Sequence, residues 1–348
     1  LVVAMSADLA DSTNISGFAK EYGGTKSKGF YEKENNPNSP LMPQGITEFT
    51  NAGMMAGLAT VNFSEDTYNE FNGFYGTMST YGSFSYLKYG PLRLFSQMAQ
   101  DSDLKVGKVI WVAGHSGPET AEDSRTHFGI FAPGVTQLFP EGQIINLHPW
   151  EHNEVAPCLT AALSTDVALI ALHLTRPPVT IPDREALGMA SYLAAARGAY
   201  IIKDYDHNVD KKGVVIIRGT SSTNSLVEIL PRLTEEGPNV KIVAAVSWEL
   251  FQRQLEDYQY SVISGQEWQD AMVITNGALR LMHKWMANRI VEEYSLSPDF
   301  DNRWRTGGSL EQIIKESKLD PHSVWDGIMH FTNDRGKRLT RLRSEIPT

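Results

Sequence analysis

Val109-Ile110-Trp111-Val112-Ala113-Gly114-His115 is the stretch that decides how this chain folds. An unbroken apolar run that stops at glycine marks a strand buried on both faces, as at the centre of a parallel sheet. The loop leaving the C-terminal end of such a strand is where α/β proteins bind ligands. Here that loop runs on through Glu122-Asp123 to Thr126-His127. Two imidazoles and two carboxylates in one loop can move protons and orient hydroxyl groups. The same residues also suit a plain solvated loop, and on composition alone both readings stand.

Outward from this strand, apolar runs at 1–7, 143–147 and 167–174 read as further strands, with a helix over 153–164 between the last two. Residues 13–45 are rich in Gly, Asn, Lys, Ser and Pro and read as a long surface loop. Gly45-Ile46-Thr47-Glu48 opens a helix with small residues every few positions up to Ala59. Aromatic residues crowd the stretch 71–98, including Phe71, Phe74, Tyr75, Tyr81, Phe84, Tyr86, Tyr89 and Phe95. Such density suits either a core or a wall for a flat ligand.

Arg176-Pro177-Pro178 breaks the pattern and opens a linker over 177–198. Beyond it the alternation restarts. Strands are expected at 199–204, 214–218, 240–245 and 271–275, and helices at 224–233, 248–263, 279–294, 309–317 and 322–331. Strands alternating with helices imply a largely parallel sheet in each half. The expected fold is therefore α/β, with one domain over 1–176 and a second over 199–348.

The chain has 348 residues, 41% of them hydrophobic, and a formal net charge of -10. That length supports sizeable cores. That charge argues against a nucleic-acid binder, which presents a basic face. No apolar run is long enough to span a bilayer, and the first residues lack the basic region of a secretion signal. Leu1 leaves open that the numbering begins inside a longer product. Cys158 is the single cysteine, so no internal disulfide forms, and it reads as a small core residue of the 153–164 helix. A cytoplasmic location follows as the simplest expectation.

Common chemical signatures are missing. The chain has no HExxH, no paired cysteines, no GxGxxG, no GxxxxGK[ST] and no GxSxG. His115, Asp123 and His127 match no standard metal spacing, so no metal is assigned to this chain. Gly219-Thr220-Ser221-Ser222 before a helix fits an anion site or, more simply, a cap. Glu48 opens an apolar helix, where a carboxylate is costly unless paired. It reads either as a helix-stabilising acid or as a buried carboxylate that passes a proton.

The ordered set Ala7-Asp8-Leu9…Ser12, Gly45-Ile46-Thr47-Glu48 and His115…Glu122-Asp123…Thr126-His127 resembles the C-terminal half of a transketolase. Asn153-Glu154, Leu174-Thr175-Arg176, Gly219-Thr220-Ser221 and Val246-Ser247-Trp248-Glu249-Leu250-Phe251 extend the likeness, which fades after about Ile274. The resemblance implies a thiamine-diphosphate-binding fold followed by a transketolase C-terminal-like domain. It implies transfer of a two-carbon ketol unit from a ketose to an aldose, with thiamine diphosphate as cofactor. By that resemblance Glu48 bonds the N1' atom of the aminopyrimidine, and Asp8 lies near the cofactor. Phe84 is the best match to the wall beside the pyrimidine, with Tyr86 and Tyr89 as alternatives. His115 and Asp123 match residues that contact sugar hydroxyls, and Ser12, His127 and Arg176 match the end that holds the substrate phosphate.

Departures from the family pattern bear on the substrate. Members commonly read Glu-Asp-Gly-Pro-Thr-His where this chain has Glu122-Asp123-Ser124-Arg125-Thr126-His127. Arg125 adds a cation and removes a rigid proline, so it joins the candidate anion-binding residues. Thr47 and Phe49 replace the Arg and His common beside the glutamate. An anionic sugar is expected, bearing a phosphate or another group such as a sulfonate. The Gly-Asp-Gly motif that holds magnesium in this family is missing. The resemblance therefore implies that a partner subunit, or a segment ahead of this chain, supplies the diphosphate-binding domain and its Mg2+. Other readings are a deoxyxylulose-phosphate synthase, the β subunit of a 2-oxoacid dehydrogenase, or a scaffold subunit without catalysis.

Overall fold

A computed structural model describes residues 1–348 except 8–9, 26–27, 115, 306 and 346–348. Packing divides the chain into two units. Unit 1 comprises 1–116, 131–147 and 162–176, and unit 2 comprises 117–130, 148–161 and 177–348.

Unit 1 is built on a six-stranded parallel sheet of β1 (Val2–Ser6), β2 (Leu41–Met42), β3 (Tyr75–Thr80), β4 (Val109–Ala113), β5 (Ile144–Leu147) and β6 (Leu169–His173). Their order across the sheet is β2-β1-β3-β4-β6-β5. β4 pairs with β3 and β6, so both its edges and both its faces are covered, and all its residues are buried. That is why its sequence is a continuous apolar run rather than an alternation. Helix α1 (Glu48–Ala59) packs on β3, and Gly76 permits the approach, since a Cβ there would lie 2.7 Å from Met55 Sδ. Helix α2 (Tyr89–Asp101) follows a 3-10 turn over Gly82–Lys88. Met5, Met55, Met78, Leu92, Phe95, Trp111 and Leu169 form the core of this unit.

The stretch expected as a long loop differs. Ile15, Ala19 and Leu41 are buried, a 3-10 helix runs over Ser16–Tyr22, and β2 pairs with β1. A strand of two residues has too short an alternation to be seen in sequence, and its partner lies far away in the chain.

Unit 2 holds a four-stranded sheet of β7 (Ala199–Lys203), β8 (Val214–Arg218), β9 (Lys241–Ala245) and β10 (Ala271–Thr275), in the order β10-β8-β9-β7. β8 pairs in parallel with β9 and β10, and β7 adds an antiparallel edge. The fold is thus α/β with two mostly parallel sheets. The helix expected over 248–263 is two, Trp248–Gln252 and Glu256–Val262, and 279–294 is a 3-10 turn over Leu279–Trp285 and a helix over Arg289–Tyr294. A further helix, Arg335–Glu345, ends the chain's described part, and Arg338 and Arg335 pair with Asp270 at 2.5 and 2.7 Å. Phe251, Trp285, Met282 and Val273 lie in the core, flanked by Trp248 and Trp268.

Much of 177–198 is exposed, but Arg184 anchors it. Arg184, only 8% exposed, donates to Glu151 at 2.7 Å, to Glu154 at 2.8 Å and to Tyr200 at 3.2 Å. Trp150 donates to the Tyr200 hydroxyl at 3.0 Å, and that hydroxyl donates to Glu154.

Candidate functional site

In a parallel sheet the ligand crevice opens where the chain passes to opposite sides of one strand. β1 has β2 on one side and β3 on the other, so the β1/β3 boundary of unit 1 is such a point. Thr13 closes its floor, with its hydroxyl 2.6 Å from Ser6 Oγ and accepting from Ser79 at 2.8 Å. Just above, Ser12 Oγ lies 3.1 Å from the Tyr81 hydroxyl, and Phe84 meets the Tyr81 ring edge-on with centroids 6.3 Å apart. Ser12 and Phe84 are therefore brought together through Tyr81, a residue the sequence left among many aromatics.

Glu48 stands at the start of α1 and is 6% exposed. Its Oε1 accepts from Thr80, the last residue of β3, at 3.0 Å. Oε2 has no hydrogen-bond partner among the described residues. Oε2 is not among the fully buried atoms without partners, so it stands open to a ligand or water. Asn51 Nδ2 on the same helix and Ser85 Oγ on the adjoining turn are buried without partners. Behind Glu48 lies Lys88, fully buried, whose ammonium donates to Met78 O at 3.2 Å and Val112 O at 3.5 Å. Burial pushes the Lys88 amine down to about 7, while Glu48 acts in the opposite sense.

The other aromatics differ in setting. Tyr86 is 60% exposed, and Tyr89 packs edge-on against the core ring of Phe139 at 5.4 Å. Arg176 is exposed just beyond the C-terminal end of β6. His173, the last residue of β6, is buried among Ser116, Thr136 and Asn146. Asp8 and His115 lie outside the described residues.

In unit 2 the loop that carries Asp123, Arg125 and His127 is a pair of 3-10 turns, Pro118–Glu122 and Arg125–His127. Asp123 Oδ2 lies 2.7 Å from His127 Nδ1, which fixes the orientation of the imidazole. Thr120 donates to Gly117 O at 2.8 Å and to His127 O, so one hydroxyl ties both ends of the loop. Arg125 is exposed. Glu119, 2% exposed, accepts from Ser221 at 2.8 Å and from Asn276 at 3.1 Å. Its carboxylate thus occupies the N-terminal end of helix α5, which we number after α3 (Ala132–Thr136) and α4 (His152–Leu163) and which spans Thr220–Glu235. The polar turn before that helix is therefore met by the protein's own acid. Residues beyond β10 support the same loop. Trp304 meets Phe128 edge-on at 6.2 Å, and the helix Leu310–Glu316 packs on 118–122.

Among the described residues no three His, Cys, Asp or Glu side chains cluster as a metal site, and no helix is long and apolar enough to cross a membrane.

Comparison with known proteins agrees with this architecture. The family described as "Transketolase, pyrimidine binding domain" matches residues 1–180, and "Transketolase-like TK C-terminal domain" matches 198–294. A probable transketolase of Schizosaccharomyces pombe is 28% identical over 253 residues, covering 69% of this chain and 31% of that protein. A chloroplastic transketolase of Craterostigma plantagineum is 31% identical over 169 residues, 47% of this chain and 30% of that protein. The solved transketolase of Pichia stipitis in complex with sedoheptulose 7-phosphate superposes with a TM-score of 0.68 at 20% identity, covering 96% of this chain and 44% of that one. The Leishmania mexicana transketolase gives 0.69 at 17% identity, covering 95% and 42%. The two family models lie one after the other along the chain, the second over the shorter stretch. The chain belongs to the transketolase family. It spans less than half the length of these relatives.

Proposed function

We propose that this chain is the pyrimidine-binding and C-terminal component of a thiamine-diphosphate enzyme that transfers a two-carbon ketol unit from an anionic ketose to an aldose. The observation that carries this reading is Glu48: nearly buried at the sheet's switch point, one oxygen held by Thr80, the other unspent among the described residues. The residues around it fit an aminopyrimidine. Glu48 Oε2 is suited to a ring nitrogen, the unpartnered Asn51 Nδ2 and Ser85 hydroxyl offer further polar contacts, and Phe84 and Tyr81 supply an aromatic edge.

Thiamine diphosphate, when bound, supplies the nucleophilic carbon for cleavage beside the ketose carbonyl. Glu48 would hold and pass a proton at Oε2, and Thr80 would keep Oε1 engaged so that the carboxylate presents one oxygen only. Asp8 would stand near the cofactor. In the loop of unit 2, Asp123 would orient His127, and His115 with Asp123 would contact sugar hydroxyls. Ser12, Arg125, His127 and Arg176 would bind the substrate's anionic group, where a guanidinium fork meets two oxygens. Magnesium and the diphosphate would be held by a domain outside this chain, because the acidic glycine motif that binds them in this family does not occur here.

Calorimetry with thiamine diphosphate and Mg2+ tests this reading, with and without a diphosphate-domain partner. Binding by the assembled complex, and its loss with all turnover in Glu48→Gln, is the expected result. Retained turnover in Glu48→Gln refutes the role of Glu48, and no binding in either arrangement refutes the cofactor.

A further inference from the structure

Glu119 is a buried carboxylate to which the proposed reaction assigns no part. It stands in the 3-10 turn Pro118–Glu122, shortly before Asp123, and is 2% exposed. Both its oxygens are engaged within unit 2. Oε2 accepts at 2.8 Å from Ser221 in the first turn of α5, and Oε1 accepts at 3.1 Å from Asn276, just beyond β10. The backbone is shaped around this contact. Gly117 has φ of +118°, and a Cβ there would fall 2.4 Å from Glu119 Oε2 and 2.6 Å from Asn276 Nδ2. Thr120, the next residue after Glu119, donates to His127 O, and His127 Nδ1 lies 2.7 Å from Asp123 Oδ2. An unbroken run of contacts thus leads from α5 and the end of β10 to the imidazole. The loop's base is closed by Gly129 N, which donates to Gly117 O at 3.1 Å, and its return limb is held by Ala278 N, which donates to Ile130 O at 3.0 Å. All these residues belong to one packing unit.

We infer that Glu119 is a positioning residue for sugar binding: it latches the loop of Asp123, Arg125 and His127 to the second sheet, so that unit 2 sets where those side chains meet the substrate. Ligand-binding loops are ordinarily drawn from the least stable part of a fold. Here a carboxylate with two donors, away from water, holds the loop more firmly than neutral contacts would. Without the latch the Asp123–His127 pair survives, because it is local, but its placement is lost. Arg125 and His127 are proposed to hold an anion that does not react. Such contacts bind substrate and transition state alike, so their misplacement raises KM and leaves kcat. This inference rests on the role proposed for that loop, and its test is separable from that reading.

The test exchanges donor and acceptor. Asn276→Asp at pH 8 sets a second carboxylate against Glu119, and the pair repels or takes up a proton at a cost. Glu119→Gln together with Asn276→Asp restores one donor facing one acceptor and leaves an oxygen for Ser221. The first readout needs no substrate: the rate of limited trypsin cleavage of the full chain after Arg125, exposed in the loop, against cleavage after Lys211, exposed elsewhere in unit 2. Asn276→Asp should raise the Arg125 rate relative to Lys211 about tenfold, and the double variant should bring it back to within about threefold of the wild type. The second readout is turnover of fructose 6-phosphate by the complex assembled with a diphosphate-domain partner. Asn276→Asp should raise KM about tenfold with kcat held within about twofold, and the double variant should recover it. Equal acceleration at both trypsin sites, an unchanged KM, a fall in kcat at constant KM, or no recovery in the double variant overturns the inference. If Asn276→Asp does not fold, Ser221→Ala removes the other donor and should shift both readouts by about threefold or more in the same sense. If the wild-type complex shows no turnover, the ketol-transfer reading fails, and the trypsin rates alone decide the latch.

Discussion

Replacing Arg184 by Met strikes the most heavily connected buried cation of unit 2. In the wild type its guanidinium donates to Glu151 at 2.7 Å, Glu154 at 2.8 Å, Tyr200 at 3.2 Å and Ala190 O at 3.1 Å. Met fills much of the volume and removes all four bonds. Glu154 keeps the Tyr200 hydroxyl and the Trp150 amide, but Glu151, 4% exposed and with Oε2 already unpartnered, keeps no cation. Stripping one partner from a buried ion pair costs about 3–5 kcal/mol. With a urea dependence of about 1–3 kcal/mol per molar, the midpoint should fall by roughly 1–5 M at pH 7. The sign with pH follows from Glu154, whose carboxyl is raised by burial against the bonds from Tyr200 and Arg184. A carboxyl raised in the folded state contributes most below its unfolded value and loses that contribution as pH rises through the folded one. Loss of the cation raises Glu154 further, so Arg184→Met should lose much less stability at pH 5 than at pH 7. Urea unfolding at both pH values checks this. A loss below about 1 kcal/mol at pH 7, or an equal loss at both, refutes the reasoning. Replacing Glu151 and Glu154 by Met as well should recover most of the loss, because a buried ionic cluster and its apolar replacement differ little in stability.

Gly219 has φ of +96°, and a Cβ there would fall 1.7 Å from Asn276 Oδ1. Gly219→Ala should cost about 3 kcal/mol or more from the strained backbone and overpacking together, lowering Tm by roughly 6–12 °C in calorimetry. Arg125→Ala should raise KM for an anionic ketose about tenfold in the assembled enzyme with kcat retained, as expected for loss of one charge-assisted contact to an unreacting group. Because burial depresses the Lys88 amine to about 7, its contribution to stability is full above the ordinary lysine value and is lost as pH falls through 7. Wild-type unfolding free energy should therefore climb between pH 7 and 10 in urea titrations, and Lys88→Met should flatten that slope.

The fold was legible where local chemistry and tertiary setting agree. β4, β6 and β10 read as strands because their residues are apolar without interruption and the sheet buries both faces. β2 escaped because two residues carry no period, and its pairing with β1 depends on a partner about forty residues away. The segment 248–263 keeps helical composition throughout, yet Leu255 turns to extended backbone and splits it, a choice made by packing rather than propensity. At the site, Glu48 announced itself as a carboxylate opening an apolar helix. Thr80, Tyr81 and Lys88 did not, since each matters only through a contact across strands: a hydroxyl at a strand end, one ring among many, a lysine that sequence alone assigns to the surface.

The loop of Asp123 and His127 packs with residues about 180 positions later in sequence, Trp304 and the helix Leu310–Glu316. A ribosome adds about 5–20 residues per second. For on the order of ten seconds or more, the loop is synthesised but lacks the surface it rests on. Its acid and imidazole can pair early, being four residues apart, but their placement waits until residues 304–316 have been translated. Maturation of the loop therefore lags its own synthesis, and a nascent chain halted before residue 304 would carry the residues of this part of the site without its architecture.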